Sequence, residues 1–316
     1  MQGEGRTLRF WHQTGGNIVC RLYALHANEP TRVECGLVIA QNALMAQSER
    51  DMQGYAHGHG WGVADYPEDV PMIEKQVWAA FHGEHFSRKA AKVYARTVVA
   101  HVRRATVGGV SIENTHPFHH GKWIFAHNGT VPNFDQVRIK MLDQIDPLHR
   151  NKILGTTDSE HIFHYLMSLF LHHPERGLLE TVRQGLRQIL TWSAEVDAKA
   201  RVGLNIVLTD GEHVVGSRYN RSLFTLHRDH IFKCRICGKP HVHHNPKTPY
   251  RSVEVASEPI TLEPEWKEVP NKTVFRMSDG YFLEKLTLIP SFIVLSLIHI
   301  SEPTRLVHSS RMPSSA

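Results

Sequence analysis

Residues 204–217 read LNIVLTDGEHVVGS, which is two short apolar runs separated by a turn signal. The runs at residues 204–208 and 213–217 are rich in β-branched side chains, a composition typical of strands. Asp210-Gly211 lies between them, and Asp-Gly is a preferred hairpin turn because glycine tolerates a positive φ. The segment therefore predicts an antiparallel β-hairpin.

Other short runs of the same kind occur on both sides of this hairpin. Residues 98–102, 123–126 and 223–226 are β-branched or aromatic, as strands are. Asn128-Gly129 directly follows the second of these runs and predicts another hairpin turn. Strands joined by such turns pair mainly in the antiparallel sense.

Two helices are predicted among these strands. Thr157 and Glu160 have the spacing of a capping box, and the apolar residues after them repeat at helical spacing. A second apolar stripe runs through residues 178–190. Because hairpins alternate with separate helical segments, and no GxGxxG or GKS/T phosphate loop occurs in the sequence, the pattern predicts an α+β fold.

The composition excludes several classes of protein. With 316 residues, 41% hydrophobic and 21% charged, the chain resembles globular proteins and not disordered or collagen-like ones. The net charge of +5 is not concentrated in any run, so we expect no nucleic-acid partner. The longest apolar stretch, residues 288–300, contains Pro290 and is shorter than the roughly 20 residues of a spanning helix, so we expect no membrane partner.

The two ends differ from the middle of the chain. Residues 1–19 lack the hydrophobic segment of a secretory signal, so we expect a cytoplasmic protein whose four cysteines stay reduced. We interpret residues 1–19 as a cleaved or wrongly assigned extension and residues 291–316 as a non-native or disordered tail. The domain is then expected at residues 20–290.

Cys20 is the first candidate nucleophile, and it opens the strand-like run CRLYAL directly after Val19. A GUG start codon is tabulated as Val but translated as Met, and a Met before a small residue is normally removed. Cys20 would then be the N-terminus, and its α-amine, with a pKa of about 7.7–8.0, could serve as the general base. An internal Cys20 would lack this base and would be a buried structural thiol.

Six motifs follow one another in a characteristic order. They are CRL from Cys20, GWG from Gly60, HVRRAT from His101, NTHP from Asn114, HNG from His127 and TDSE from Thr157. In this order the chain resembles the class II glutamine amidotransferases, which are N-terminal nucleophile hydrolases. The resemblance extends from Cys20 to about Trp266. It is strongest to the small γ-glutamyl hydrolases of glutathione degradation and the ergothioneine pathway, since Ala256-Ser257-Glu258-Pro259 also matches.

The resemblance implies a fold and a nucleophilic mechanism. The implied fold is a four-layer αββα sandwich with mainly antiparallel sheets. Cys20 would attack a γ-carbonyl and form a γ-glutamyl thioester, while the Asn128 side-chain amide and the Gly129 N–H would stabilise the oxyanion. No cofactor is required for this chemistry. A hairpin turn remains an alternative reading of His127-Asn128-Gly129, and the two readings are compatible.

The resemblance also implies the residues that recognise the substrate. Arg103 would pair with the α-carboxylate and Asp158 with the α-ammonium, and Thr106 and His116 occupy the remaining pocket positions. Each residue has an alternative. Arg103 could be a surface charge, Asp158 is favoured at any helix N-terminus, and His116 could be structural.

Two positions depart from the family pattern. Arg104 stands where many members have Trp, which leaves open how the substrate's side chain is covered. His59 precedes the GWG motif where an acidic residue is common, and we expect this departure to affect only loop architecture.

A second candidate site is a metal site. Cys234 and Cys237 form a CxxC motif followed by glycine, and three histidines follow within a few residues. We expect a structural zinc held by Cys234, Cys237, His241 and His243. The alternative is a His-rich hairpin with two reduced thiols. Cys35 is interpreted as a core residue, and His244 is the third of these histidines.

The sequence therefore predicts hydrolysis of the γ-amide of glutamine or of a γ-glutamyl compound, with an ammonia-accepting synthase or peptidase subunit as a candidate partner. The alternative from another class is a non-catalytic amino-acid-sensing or metal-binding scaffold on the same fold. A zinc-centred hydrolase is a third option, although the sequence lacks HExxH.

Overall fold

The computed structural model describes residues 20–243 and 247–288, except for the side chains of residues 282 and 283. The expectations for residues 1–19, for His244 and for residues 291–316 lie outside the described residues. No helix in the described part of the chain is long and apolar enough to cross a bilayer.

Two sheets form the centre of the fold. Their strands are β1 (Arg21–Arg32), β2 (Trp61–Asp65), β3 (Met72–Gln76), β4 (Tyr94–Val102), β5 (Phe118–His120), β6 (Trp123–Thr130), β7 (Gly203–Thr209), β8 (His213–Arg218), β9 (Phe224–Arg228), β10 (Ser252–Ala256), β11 (Lys267–Glu268), β12 (Thr273–Ser278) and β13 (Tyr281–Thr287). The first sheet has the order β11-β9-β10-β1-β4-β2-β3, and the second has the order β13-β12-β8-β7-β6-β5. Every neighbouring pair is antiparallel.

Helices cover the outer face of each sheet. They are α1 (Leu44–Glu49), α2 (His85–Lys92), α3 (Phe134–Gln144), α4 (Pro147–Arg150), α5 (Asp158–His172) and α6 (Leu178–Val196). A π-helical turn, Cys35–Ile39, follows β1, and a 3₁₀ turn, Pro174–Arg176, joins α5 to α6.

Three apolar clusters hold these layers together. Between the sheets, Leu22 and Val99 pack in one cluster with Val207 and Phe275. Helices α1 and α2 pack on the first sheet, and the ring of Phe86 lies 5.1 Å from that of Trp61. Helices α3, α5 and α6 cover the second sheet. Helix, sheet, sheet and helix thus form four layers, which confirms the predicted α+β fold and its antiparallel sheets.

The local signals for strands and helices agree with the structure at most positions. Strands β7 and β8 form the predicted hairpin, and Gly211 in its turn has a φ of +99°. At the start of α5, Thr157 Oγ1 accepts a hydrogen bond from the Glu160 N–H at 3.2 Å. The Glu160 carboxylate accepts instead from the N–H groups of Leu154 and Gly155, so only half of the capping box forms.

The turn predicted at Asn128-Gly129 is wrong. Both residues lie inside β6, where Asn128 is opposite Asn205 and Gly129 is opposite Leu204. The glycine is required there for space, because a Cβ at Gly129 would overlap the backbone carbonyl of Gly203. A glycine needed for close backbone approach was thus mistaken for a glycine needed in a turn.

Candidate active site

Cys20 lies at the start of β1, between the two sheets, and is 8% exposed. Pairing of β1 with β4 sets Arg21 opposite Val102, and Sγ of Cys20 lies 3.3 Å from both the backbone N and O of Arg104. Burial raises the pKa of the Cys20 thiol, although the Arg104 N–H and the charges of Arg103 and Arg21 act in the opposite direction. At neutral pH the thiol is therefore protonated and needs a base before it can attack.

Asn128 is linked to the start of β1 through Ser257, because β10 pairs with β1. Ser257, directly after β10, accepts hydrogen bonds at 2.9 Å from the Leu22 N–H and from Nδ2 of Asn128. Asn128 is 1% exposed. The hydrogen bond to Ser257 fixes its amide near Leu22, which follows Cys20 by two residues in the chain. An amide held in this way is a preorganised donor.

The N–H of Gly129 points toward the free side of β6. Leu204, its partner on β7, donates its own N–H to Tyr219 on the β8 side, so Gly129 and Leu204 form a pair without hydrogen bonds to each other. The N–H of Val131, two residues later, points to the same side and is bound by the Asp158 carboxylate at 2.8 Å. The Gly129 N–H is therefore directed to the side on which Asp158 lies.

Arg103 and Asp158 are both buried, with 2% and 4% exposure, and their charges act on the Cys20 thiol. The Arg103 guanidinium donates to the carbonyl oxygens of Gly109 at 2.9 Å and Val107 at 3.1 Å. Arg103 is therefore not a surface charge. In this structure it binds the loop that follows it.

Thr106 and His116 have different surroundings. Thr106 Oγ1 lies 3.3 Å from Thr130 Oγ1, near the end of β6. His116 is 3% exposed, and its ring stacks on that of His101 at 4.1 Å. Burial lowers the pKa of His116 well below its usual value, so the ring is neutral. The backbone carbonyl oxygen of His116 occupies the space that a Cβ at Gly62 would need. This close packing agrees with the structural alternative for His116.

The two departures from the family pattern make ordered contacts. The guanidinium of Arg104 lies over the ring of Tyr55, 4.6 Å from its centroid. His59 Nδ1 accepts the N–H of Ala105 at 2.9 Å, and the His59 N–H donates to the Arg103 carbonyl. His59 thus fixes the segment that contacts the Cys20 thiol.

A buried ionic network lies beside Cys20, and the sequence alone did not predict it. Arg21, 1% exposed, donates to Asp51 at 2.6 Å, to Glu258 at 2.9 Å and to the Cys20 carbonyl at 3.0 Å. His57 also binds Asp51, at 2.9 Å. The signal that could have found this network is charge balance, because a buried arginine beside Cys20 requires carboxylate partners.

The predicted zinc ligands are only partly brought together. Cys234, Cys237 and His241 form a group with Cys35, and this group could hold a metal ion. His243 is not in the group, because its ring stacks on Tyr94 at a centroid distance of 4.3 Å. Cys35, interpreted from the sequence as a core residue, takes its place.

Comparisons with known proteins bear on the family of the chain. The family model described as "Glutamine amidotransferases class-II" matches residues 19–291. The chain is 30% identical over 297 residues to "Probable glutamine amidotransferase DUG3" of Saccharomyces cerevisiae, which covers 81% of each chain. It is 24% identical over 246 residues to the gamma-glutamyl-hercynylcysteine sulfoxide hydrolase of Mycolicibacterium smegmatis, covering 75% of this chain and 87% of the relative.

The fold is also similar to that of a solved structure. A glutamine aminotransferase class-II domain protein from Silicibacter pomeroyi superposes with a TM-score of 0.57 at 18% identity, over 85% of this chain and 98% of that one. The match of the family model over most of the sequence, together with the yeast relative, establishes the family. This chain belongs to the class II glutamine amidotransferases.

Proposed function

We propose that this protein hydrolyses the γ-amide bond of glutamine or of a γ-glutamyl compound, with Cys20 as the nucleophile. The observation that carries the proposal is the link between the Cys20 end of β1 and Asn128, since Ser257 Oγ accepts from both the Leu22 N–H and the Asn128 amide. We assign the second oxyanion donor to the Gly129 N–H, which is directed to the side of β6 on which Asp158 lies. A thiol beside two preorganised donors suits attack on a carbonyl.

In the proposed reaction, Cys20 Sγ forms a bond to the γ-carbon, and Asn128 and Gly129 stabilise the oxyanion. The carbon–nitrogen bond then breaks, and the leaving amine takes the proton that the thiol gave to the base. Water attacks the resulting thioester, the carbon–sulfur bond breaks, and glutamate is released while the thiol regains its proton. No step uses a metal.

The base in this scheme is the α-amine of Cys20, which exists only when the chain begins at that residue. Burial raises the pKa of the thiol, so a base is needed at neutral pH. The rate is expected to rise as the pH passes about 7.7–8.0 and the amine loses its proton. An initial-rate profile between pH 6 and 9 measures this rise, and a flat profile would contradict the amine as base.

Substrate recognition is assigned to the two buried charges beside the thiol. We propose that Arg103 takes the α-carboxylate, Asp158 the α-ammonium, and Thr106 the adjacent polar edge of the pocket. The Mycolicibacterium smegmatis relative is named as a γ-glutamyl hydrolase, which favours hydrolysis. The reaction would take place in the cytoplasm, and a synthase or peptidase subunit would take up the product.

The test is labelling with 6-diazo-5-oxo-L-norleucine, a glutamine-mimicking electrophile. Peptide mass spectrometry is expected to find one adduct, on a peptide that begins at Cys20. Cys237 is the internal control, because it is the most exposed of the four thiols and should still carry no adduct from this reagent. A free, N-terminal Cys20 without an adduct would favour the amino-acid-sensing scaffold.

Removing one oxyanion donor is expected to slow the reaction without preventing binding. Asn128→Ala should lower kcat by about 10²–10³-fold and change KM little, because the amide acts on the transition state. The matched control is Asn205→Ala on the opposite strand, where the amide instead binds backbone groups of Ser222 and Tyr219. Equal kcat losses in the two variants would remove the role assigned to Asn128.

A further inference from the structure

Three thiols and one imidazole meet at a point that the proposed reaction does not use. Cys35 begins the π-helical turn after β1, whereas Cys234, Cys237 and His241 lie in the connection between β9 and β10. One ligand atom from each of the four lies within 4.8 Å of every other. Residues from two distant parts of the chain therefore present a complete set of soft ligands.

Two distances within the group agree with a tetrahedral site. Sγ of Cys35 lies 3.9 Å from Sγ of Cys234, and Sγ of Cys237 lies 3.6 Å from Nε2 of His241. A tetrahedral zinc with Zn–S bonds of about 2.3 Å has sulfur–sulfur edges of about 3.8 Å and slightly shorter sulfur–nitrogen edges. Two of the six edges of the group thus have the lengths expected for such a site, and the other four are within 4.8 Å.

The local backbone of the CxxC segment also fits a metal-binding loop. The N–H of Ile236 donates to Sγ of Cys234 at 3.4 Å, and the N–H of Gly238 donates to the Cys234 carbonyl at 2.9 Å. Gly238 has a φ of +71°, a value that closes the turn and that glycine adopts without strain. Such N–H to sulfur bonds stabilise the negative charge of a thiolate.

We propose that Cys35, Cys234, Cys237 and His241 hold a structural zinc ion. Three cysteines and one histidine fill the four positions of tetrahedral zinc, so no position is left for a substrate or water. This assignment is independent of the proposed reaction, since none of the four residues takes part in it.

The zinc would fasten a long connection to the first sheet. In residues 229–243 and 247–251, the described parts of the link between β9 and β10, there is no helix or strand. Long connections without secondary structure are uncommon in compact domains unless something else fixes them. A metal bound to Cys35 at one side and to the loop at the other supplies that constraint.

The test is the metal content of the purified chain, measured by inductively coupled plasma mass spectrometry. About one zinc per chain is expected in the wild type, and close to none in Cys35→Ser and Cys237→Ser. The matched control is His243→Ala, which should keep about one zinc because His243 stacks on Tyr94. Cobalt exchanged into the wild type should show thiolate charge-transfer bands and the visible bands of a tetrahedral site.

Circular dichroism checks that each variant is folded, and Cys237, being half-buried, is the ligand least needed for packing. Loss of zinc in His243→Ala but not in Cys35→Ser would overturn the ligand set. A reduced wild-type chain that neither contains nor takes up zinc, or a disulfide between Cys35 and Cys234, would overturn the site itself. These results do not depend on Cys20, so they are distinguishable from failure of the proposed reaction.

Discussion

Changing Cys20 to alanine is expected to reduce γ-glutamyl amide hydrolysis by on the order of 10⁴-fold or more. The thiol is the only group in the proposed scheme that forms a bond to the substrate, and the oxyanion donors cannot replace it. Release of glutamate from glutamine and from γ-glutamyl peptides, measured with purified enzyme, gives kcat/KM for both variants. The same substrates then also report which γ-glutamyl compound the wild type prefers.

The Cys20→Ala variant should remain folded and should still bind substrate. Its missing sulfur leaves only a small void at a position that is 8% exposed, so the expected loss of stability is about 1 kcal/mol. Calorimetric binding of glutamine should persist because Arg103 and Asp158 are unchanged. Activity retained within tenfold of the wild type, in a preparation free of wild-type protein, would exclude Cys20 as the nucleophile.

A second large effect is expected at Arg21, on the stability of the fold. Arg21→Gln leaves the carboxylates of Asp51 and Glu258 buried without their cation, since both salt bridges to Arg21 are nearly sealed from solvent. Breaking a buried pair in this way costs about 3–5 kcal/mol. Urea denaturation followed by tryptophan fluorescence measures the free energy of unfolding, and kcat should fall as well because Arg21 also binds the Cys20 carbonyl.

The matched control is Arg88→Gln on helix α2. Arg88 pairs with Glu84 at 2.7 Å, but the side chains are 66% and 75% exposed. Exposed pairs contribute little, so almost no change in the free energy of unfolding is expected. If both arginine variants lost the same small amount of stability, the network beside Cys20 would not have the structural role described for it.

Much of the fold could be predicted from local sequence, because individual strands and helices are indicated by patterns within their own residues. Asp210-Gly211 specifies a hairpin, and Thr157 caps α5, whatever the rest of the chain does. Asn128-Gly129 shows where this reasoning fails. An Asn-Gly dipeptide can form a turn in one protein and lie in a crowded strand in another. Here only the position of the Gly203 carbonyl, which is known from the fold, shows that Gly129 lies in a strand.

The residues of the site could be predicted from the sequence only through their motifs, and the metal ligands show the reason. CxxC and His241 are neighbours in sequence, so their proximity is predicted by spacing. Cys35 and Cys234 are separated by 199 residues, and only the path of the chain after β1 brings them together. Glu258 is similar, because it was visible as part of a motif but its partner Arg21 is 237 residues away.

The separation between Arg21 and Glu258 also bears on the timing of biogenesis. A ribosome adding about 5–20 residues per second needs roughly 10 to 50 s to pass from one residue to the other. During that interval β1 lacks β10, and Ser257 and Glu258 do not yet cover the first residues of the domain. In the complete fold Cys20 is 8% exposed. The buried ionic network beside Cys20 can therefore form only after β10 has been synthesised, so this end of β1 is completed late in biogenesis.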